Sequence, residues 1–115
     1  MFSRALLVAW LCAAFSGSAV AESVYVKYRG PVPLDTFQCA TIDRSSFVKR
    51  VCYDAPQQYM VILLKGIYYH YCEVGPGTVY SLLAAESMGR YFNANIKGSG
   101  TDGPFDCRTH RVPDY

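Results

Sequence analysis

The sequence predicts an α+β fold, in which a three-stranded antiparallel meander carries two helices on one face and disulfide-tethered extensions at both termini. Three observations predict this fold. Two short apolar or aromatic runs meet at a Lys65-Gly66 turn, two later segments repeat apolar residues at helical spacing, and four cysteines follow a leader-like segment. A chain of this length and composition is expected to form one small domain.

The segment 1–21 has the features of a secretory signal peptide. Arg4 supplies a positive charge, an apolar run follows it, and Ala19-Val20-Ala21 places small residues where a signal peptidase cleaves, just before Glu22. The apolar run is too short for a membrane span, which needs about 20 apolar residues. We therefore expect an exported protein, periplasmic or secreted, that consists of residues 22–115.

The mature chain is nearly neutral in charge. Arg4 is lost with the leader, so 10 of the 11 basic residues remain against 9 acidic ones. A nucleic-acid-binding domain usually has a strongly basic face, so the composition argues against that class. All 10 tyrosines remain, and they are expected to pack the core together with phenylalanines and aliphatic residues.

Residues 22–44 are predicted to form an N-terminal extension. Every second residue of the segment Val24–Tyr28 is apolar or aromatic, which indicates a short edge strand. Gly30-Pro31-Val32-Pro33 should end this strand, because proline cannot donate a hydrogen bond to a ladder. The segment that follows is expected to dock onto the body of the protein and to bring Cys39 against it.

Three core strands are predicted to follow in succession. The first spans Ser46–Tyr53, and a short loop joins it to the second, Tyr59–Leu64, so that the two strands run antiparallel. The second strand is apolar on both faces, as expected for the middle of a meander. The tight turn after it leads into the third strand, Ile67–Cys72.

Two helices are predicted after the strands. A glycine–proline turn signals the start of the first helix, with Thr78 as its N-cap, and Ser87 is expected to cap the second. Their apolar stripes consist of Val79, Leu82 and Leu83 in the first helix and of Met88, Tyr91, Phe92 and Ile96 in the second. A glycine-rich segment then opens the C-terminal tail, residues 98–115.

Side chains alternate between the two faces of a strand, and this strand parity restricts the disulfide pairing of the four cysteines. The helices need the apolar face of the meander, so Cys52 and Cys72 point to the opposite face from strands one and three, about 9–10 Å apart. A disulfide needs Cα atoms within about 7 Å, so each should pair with Cys39 or Cys107 of the extensions. Either Cys39–Cys52 forms with Cys72–Cys107, or Cys39–Cys72 forms with Cys52–Cys107. The first pairing is preferred because the N-terminal extension leads into strand one and can double back along it.

An ordered series of residues on these elements resembles the KTSC domain, a small module found at the C-terminus of some lysyl-tRNA synthetases and in stand-alone bacterial proteins. The matching residues are Ser45-Ser46, Val51-Cys52-Tyr53-Asp54, Tyr69-His70-Tyr71, Val74, Ala85-Glu86-Ser87-Met88-Gly89, Phe92-Asn93 and Ile96-Lys97. The resemblance covers residues 45–97. It implies a domain without an established activity, for which RNA binding has been suggested by analogy.

The sequence departs from the KTSC pattern at one place. The family usually has Val-Pro directly after strand three, where this chain has Val74-Gly75-Pro76. The departure affects where the first helix starts rather than the fold that the resemblance implies.

The sequence shows no nucleophile with a neighbouring base and no pair of carboxylates of the kind that a catalytic site needs. The two histidines, His70 and His110, have no serine in a nucleophile motif beside them in the sequence, and no spacing forces two carboxylates together. We therefore expect no enzymatic activity, no catalytic residues and no cofactor.

A metal site is the alternative with the most definite chemistry. His70 and Cys72 lie on one face of a predicted strand, and Cys107 and His110 offer a second pair, which together make a Cys₂His₂ set suited to zinc. An oxidising compartment favours disulfides over thiolate ligands, so the expectation is that no metal is bound.

The sequence thus predicts an exported, non-enzymatic binding module, whose partner is a protein or a cell-envelope component. The candidate binding surface consists of Tyr68, His70 and Arg90. The alternative is an RNA-binding module, as suggested for relatives of the KTSC domain. Tyrosines of the sheet would then stack on single-stranded bases, but tyrosines more often cover a sheet and bury their rings. Nucleic acid is therefore the disfavoured partner. The tyrosines concerned are Tyr53, Tyr59, Tyr68, Tyr69 and Tyr71.

Overall fold

The computed structural model describes residues 22–97 and 102–115. The predicted signal peptide, residues 1–21, lies outside the described residues. In the part of the chain that is described, no helix combines the length and the apolar character that a membrane span requires.

Six strands form a single mixed sheet. They are β1 (Ser23–Val26), β2 (Gly30–Pro33), β3 (Gln38–Thr41), β4 (Val48–Asp54), β5 (Tyr59–Leu64) and β6 (Ile67–Tyr71). Their order in the sheet is β2-β1-β6-β5-β4-β3. β1 runs parallel to β6, and the other neighbours are antiparallel.

The predicted three-stranded antiparallel meander is therefore wrong as the fold class. β4, β5 and β6 are consecutive antiparallel neighbours, but they form only the centre of the sheet. The N-terminal extension adds β3 beside β4 and the β1–β2 hairpin beside β6. The extension thus completes the sheet at both edges instead of only covering one of its faces.

The segment Gly30–Pro33 forms a strand, contrary to the prediction that its prolines end one. β2 is an edge strand and pairs only with β1. The Leu34 amide donates to the Glu22 carbonyl at 2.7 Å, so amides at this position and at Val32, two residues earlier, face β1. The nitrogens of Pro31 and Pro33 face away from the ladder, where no hydrogen bond is lost.

Two short helices lie on one face of the sheet: α1 (Pro76–Ala84) and α2 (Met88–Tyr91), which continues as a π-helical turn over Phe92–Ile96. The N-cap of α1 is Gly75 rather than the predicted Thr78. Proline suits the first turn of a helix because its missing N–H would have no partner there. Ser87 caps α2 as predicted, and its hydroxyl accepts a hydrogen bond from the Arg90 amide at 3.2 Å.

Each face of the sheet has its own buried cluster. On the first face the helices pack against the sheet, in a cluster that includes Val51, Met60, Ile62, Tyr71, Leu82, Met88 and Phe92. On the second face, residues of β1, β2 and the segment after them join residues of the central strands and the tail in a cluster that includes Val24, Val26, Val32, Leu34, Phe37, Cys52, Tyr59, Val61, Cys72 and Cys107. The sheet cysteines therefore lie on the face away from the helices, as strand parity predicted.

Two disulfides join the extensions to the sheet. Cys39 lies directly opposite Cys52 in the β3–β4 pair, with a Cα–Cα distance of 4.0 Å. Cys72, immediately after β6, is bonded to Cys107 of the tail, with a Cα–Cα distance of 5.0 Å. The predicted disulfides are present, and their pairing is the preferred one of the two alternatives.

Candidate functional site

A cavity of about 560 Å³ lies where the two extensions meet β6. It is bounded by the turn between β1 and β2, by the end of β6 and by the C-terminal tail. Its walls are formed by Tyr28, Arg29, His70, Cys107, Arg108, Val112, Pro113 and Asp114. Its volume falls in the range of small-ligand sites, about 300–1,000 Å³.

Hydrogen bonds hold the tail in place as one wall of the cavity, in addition to the disulfide. One guanidinium nitrogen of Arg29, Nη2, donates to the Pro113 carbonyl at 2.8 Å. The Tyr115 hydroxyl donates to the buried Asp54 carboxylate at 2.7 Å. The wall is therefore fixed on both sides of Asp114.

Arg29 is a half-buried cation that has no salt bridge to a carboxylate within the described part of the chain. Its guanidinium carbon lies 5.2 Å from the ring centroid of Tyr59 and 5.3 Å from that of Tyr115, so both rings hold it by cation–π attraction. Its Nη1 atom is buried and has no hydrogen-bond partner within residues 22–97 and 102–115. Both salt bridges found in those residues involve other side chains.

His70 is a buried imidazole in the cavity wall. Its Nδ1 lies 2.8 Å from the Tyr59 hydroxyl. Burial, reinforced by the nearby Arg29 cation, lowers the pKa of His70 from its usual value of 6.5, although Asp106 acts in the opposite direction. Burial also raises the pKa of Tyr59, an effect that Arg29 partly offsets. Both side chains of this pair are therefore neutral at neutral pH.

Acidification below about pH 6.5 is expected to destabilise the protein through His70. Because its pKa is lower in the folded protein than in the unfolded chain, the unfolded chain takes up the proton first, and the free energy of unfolding falls as the pH falls. His70→Asn does not titrate and keeps an amide beside the Tyr59 hydroxyl, so it should remove this loss. Urea unfolding between about pH 8 and pH 5 measures the effect.

The control for this experiment is His110→Asn, which changes the other histidine and leaves His70 in place. This variant should show the wild-type decrease in stability. A decrease of wild-type size in His70→Asn would contradict the prediction.

Three residues of the types that bind metals lie close together, and two of them, His70 and Cys107, line the cavity. One ligand atom each from His70, Cys72 and Cys107 lies within 4.8 Å of the other two. His110 is directed elsewhere, with its Nδ1 2.8 Å from the Asp106 carbonyl oxygen. Because Cys72 and Cys107 are bonded to each other, their sulfurs are not available as thiolate ligands in this oxidised state.

Only one of the three candidate binding residues lies at the cavity. Tyr68 is half-buried, and its hydroxyl accepts a hydrogen bond from Arg50 at 3.1 Å. Arg90 is exposed on α2, on the helical side of the sheet. Of the predicted set, the structure therefore places His70 alone in the cavity wall.

Sequence reasoning missed Arg29 and Arg108 as site residues. One signal for Arg108 was available, because the predicted Cys72–Cys107 bond places the neighbours of Cys107 beside the end of β6. Arg29 had no such signal, since its contact with Pro113 joins residues 84 positions apart.

The tyrosines of the sheet do not form an exposed stacking platform. Tyr59 and Tyr71 are fully buried, and they lie in the clusters on opposite faces of the sheet. Tyr53, Tyr68 and Tyr69 are half-buried, and the Tyr53 hydroxyl donates to the Val74 carbonyl at 2.6 Å. This arrangement is that of tyrosines packed into a sheet.

A smaller cavity of about 210 Å³ lies among residues of the KTSC-like series. It is lined by Arg44, Ser45, Ser46, Glu86, Ser87, Met88 and Gly89. Its polar groups serve local structure: the Ser45 hydroxyl accepts from the Val48 amide at 3.0 Å, and Arg44 donates to the Leu83 carbonyl at 2.9 Å. These groups are consequently less available to a ligand than Arg29 is.

Comparison with known proteins identifies the domain within this chain. The KTSC domain family matches residues 44–99. The crystal structure of a KTSC domain protein from Yersinia pestis is similar to this chain with a TM-score of 0.51 and 27% sequence identity, over 54% of this chain and 87% of that chain. Curated proteins give no match. The resemblance predicted from the ordered series of residues is confirmed, since residues 44–99 match the KTSC domain family and a KTSC domain protein is a structural neighbour.

Proposed function

We propose that this protein is an exported, disulfide-stabilised binding module without catalytic activity, which receives part of a protein or cell-envelope component in the cavity beside β6. The observation that carries the proposal is the cavity itself. It has the volume of a small-ligand site, and most of its wall belongs to the segments that flank the KTSC domain.

Export is supported by two features of different kinds. The first 21 residues have the charge, the apolar run and the small residues of a cleaved leader. The four cysteines that follow are all paired in disulfides, which persist mainly in oxidising compartments.

A binding role without catalysis is supported by the state of the reactive groups near the cavity. Cys107 is in a disulfide and cannot act as a nucleophile in that form. Tyr59, the hydrogen-bond partner of His70, is fully buried. Asp54 already accepts hydrogen bonds from Thr36 and Tyr115 at 2.9 and 2.7 Å. None of these groups is free to act as the base or nucleophile of a reaction in the cavity.

Filling the cavity is expected to weaken ligand binding at least about tenfold. Val112 lines the cavity and is 38% exposed, so an indole ring at this position would occupy ligand space. Leu83→Trp is the matched control, because Leu83 is also 38% exposed but lies on α1. The experiment compares what wild-type protein, Val112→Trp and Leu83→Trp capture from a cell-envelope fraction.

A partner that is captured equally by both tryptophan variants would contradict the proposal. The RNA-binding alternative is tested in parallel by titrating labelled single-stranded RNA at two salt concentrations, since phosphate contacts make affinity fall steeply with salt. Salt-sensitive, sub-micromolar RNA binding that Val112→Trp leaves unchanged would favour the alternative.

A further inference from the structure

We infer that the ligand of this cavity carries a carboxylate, and that Arg29 is the group that receives it. The inference rests on the proposed function, since it specifies the class of ligand that the same cavity takes.

The first argument is the unsatisfied hydrogen-bonding capacity of Arg29. Its Nη2 atom donates to the Pro113 carbonyl, whereas its buried Nη1 atom has no acceptor in the described part of the chain. A buried donor without an acceptor is unfavourable, and more so when the donor belongs to a charged group. Because Nη1 is closed to solvent, an anion accepts a hydrogen bond from it only when the guanidinium shifts toward the cavity, but an anion in the cavity supplies in either case the counter-charge that Arg29 lacks among residues 22–97 and 102–115.

The second argument is that the guanidinium of Arg29 is already oriented. The rings of Tyr59 and Tyr115 contact it by cation–π attraction, and the carbonyl of Pro113 fixes one of its nitrogens. A side chain held in this way loses little conformational freedom when a ligand binds. Arg29 therefore has the pre-organisation expected of a receptor for an anion.

The third argument is the charge of the surroundings, which favours a monoanion. Arg108 also lines the cavity, but it is paired with Asp106 at 2.8 Å. Arg29 is therefore the arginine of the wall that has no salt bridge in the described part of the chain, and Asp114 adds one negative charge to the wall. A phosphate monoester, with a charge of about −1.5 to −2, would leave excess negative charge. A carboxylate, with a single charge and a planar pair of oxygens, matches one guanidinium.

The rim of the cavity indicates that the ligand also has an apolar part. Tyr28 is largely exposed and adopts a backbone φ of 73°, which is uncommon for a residue other than glycine. Its ring and the side chain of Val112 supply apolar surface next to Arg29. The ligand class is therefore an organic carboxylate with an apolar group, such as the C-terminal residue of a peptide.

The test compares N-acetylphenylalanine with its carboxamide, which has the same shape but no charge. Binding is followed in proton–nitrogen NMR spectra of the oxidised protein through the backbone amide resonance of Tyr28 in the cavity wall, which every variant retains, and in the wild type also through the Nε–Hε resonance of Arg29. The acid should shift these resonances saturably, and the amide should bind at least about tenfold more weakly, because it lacks the charge-assisted hydrogen bonds.

Variants of Arg29 test the role of its side chain. Arg29→Gln should weaken binding of the acid at least about tenfold. Arg29→Lys keeps the positive charge but loses the planar guanidinium that can bind both carboxylate oxygens. This variant should retain part of the affinity for the acid. Arg111→Gln is the matched control, because this exposed tail arginine donates to the Gln57 carbonyl at 3.2 Å and lies outside the cavity wall.

Each outcome decides the inference. Equal affinity for acid and amide, unchanged affinity in Arg29→Gln, or no binding of the acid would overturn it. Saturable binding of phenyl phosphate in preference to the acid would overturn the carboxylate in favour of a phosphate. Failure of the proposed function is recognised in the separate capture experiment. Val112→Trp would then capture the same partner from the cell-envelope fraction as the wild-type protein does.

Discussion

Replacing Ile62 by aspartate is expected to leave the protein unfolded. Ile62 is fully buried in β5, opposite Val51 of β4 and Tyr69 of β6, on the face that the helices cover. A carboxylate at this position would be buried without a partner, at a cost of several kcal/mol. The whole free energy of unfolding of a small domain is about 5–15 kcal/mol. Circular dichroism of the purified variant measures the outcome.

Ile67→Asp is the matched control for this substitution. Ile67 is the first residue of β6 and is 42% exposed, so an aspartate there remains in contact with water. This variant should fold and should unfold cooperatively. A soluble Ile62→Asp protein with the same cooperative unfolding would refute the placement of β5 at the centre of the sheet.

Removing the Cys72–Cys107 disulfide is expected to lower the free energy of unfolding by about 4 kcal/mol, whereas removing Cys39–Cys52 should lower it by about 3 kcal/mol. The difference follows from the lengths of chain that the bonds enclose, since the bonded cysteines are 35 and 13 positions apart. A bond that closes a longer loop removes more conformational freedom from the unfolded chain. Urea unfolding of the two paired Cys→Ala variants measures both losses.

The same two variants should differ in ligand binding. Cys107 belongs to the cavity wall and ties the tail to the end of β6, so the variant without this bond should bind the ligand weakly. Cys39–Cys52 joins β3 to β4 at the far edge of the sheet, and its removal should leave binding near the wild-type level. A larger effect on binding from the loss of Cys39–Cys52 would contradict this assignment.

The two faces of the central strands could be predicted from the sequence because side chains alternate along a strand. Tyr69 and Tyr71 face the helices, whereas His70 and the following Cys72 lie on the other side. That alternation also made it possible to pair each sheet cysteine with an extension cysteine. Local sequence was sufficient here because each conclusion depended on neighbouring residues and on the spacing of strands.

The complete sheet could not be predicted, because its outer strands depend on contacts between distant segments. β1 joins β6 through a single residue pair, Val26 with Tyr68, which leaves no pattern in either segment. β2 contains two prolines, which normally argue against a strand and are tolerated here only because the strand is at an edge. The cavity was missed for the same reason, since Arg29 and Pro113 meet only after the whole chain has folded.

The origin of the cavity wall has a consequence for how recognition can diversify among proteins that share this domain. Of the eight wall residues, only His70 lies within residues 44–99. A protein that consisted of the domain alone would lack the other seven and with them Arg29. On the proposed function, evolution could exchange one ligand for another by altering the flanking segments, while the domain itself was inherited unchanged. Two members of the family with closely similar domains would then have unrelated partners, and ligand specificity would follow the descent of the flanking segments.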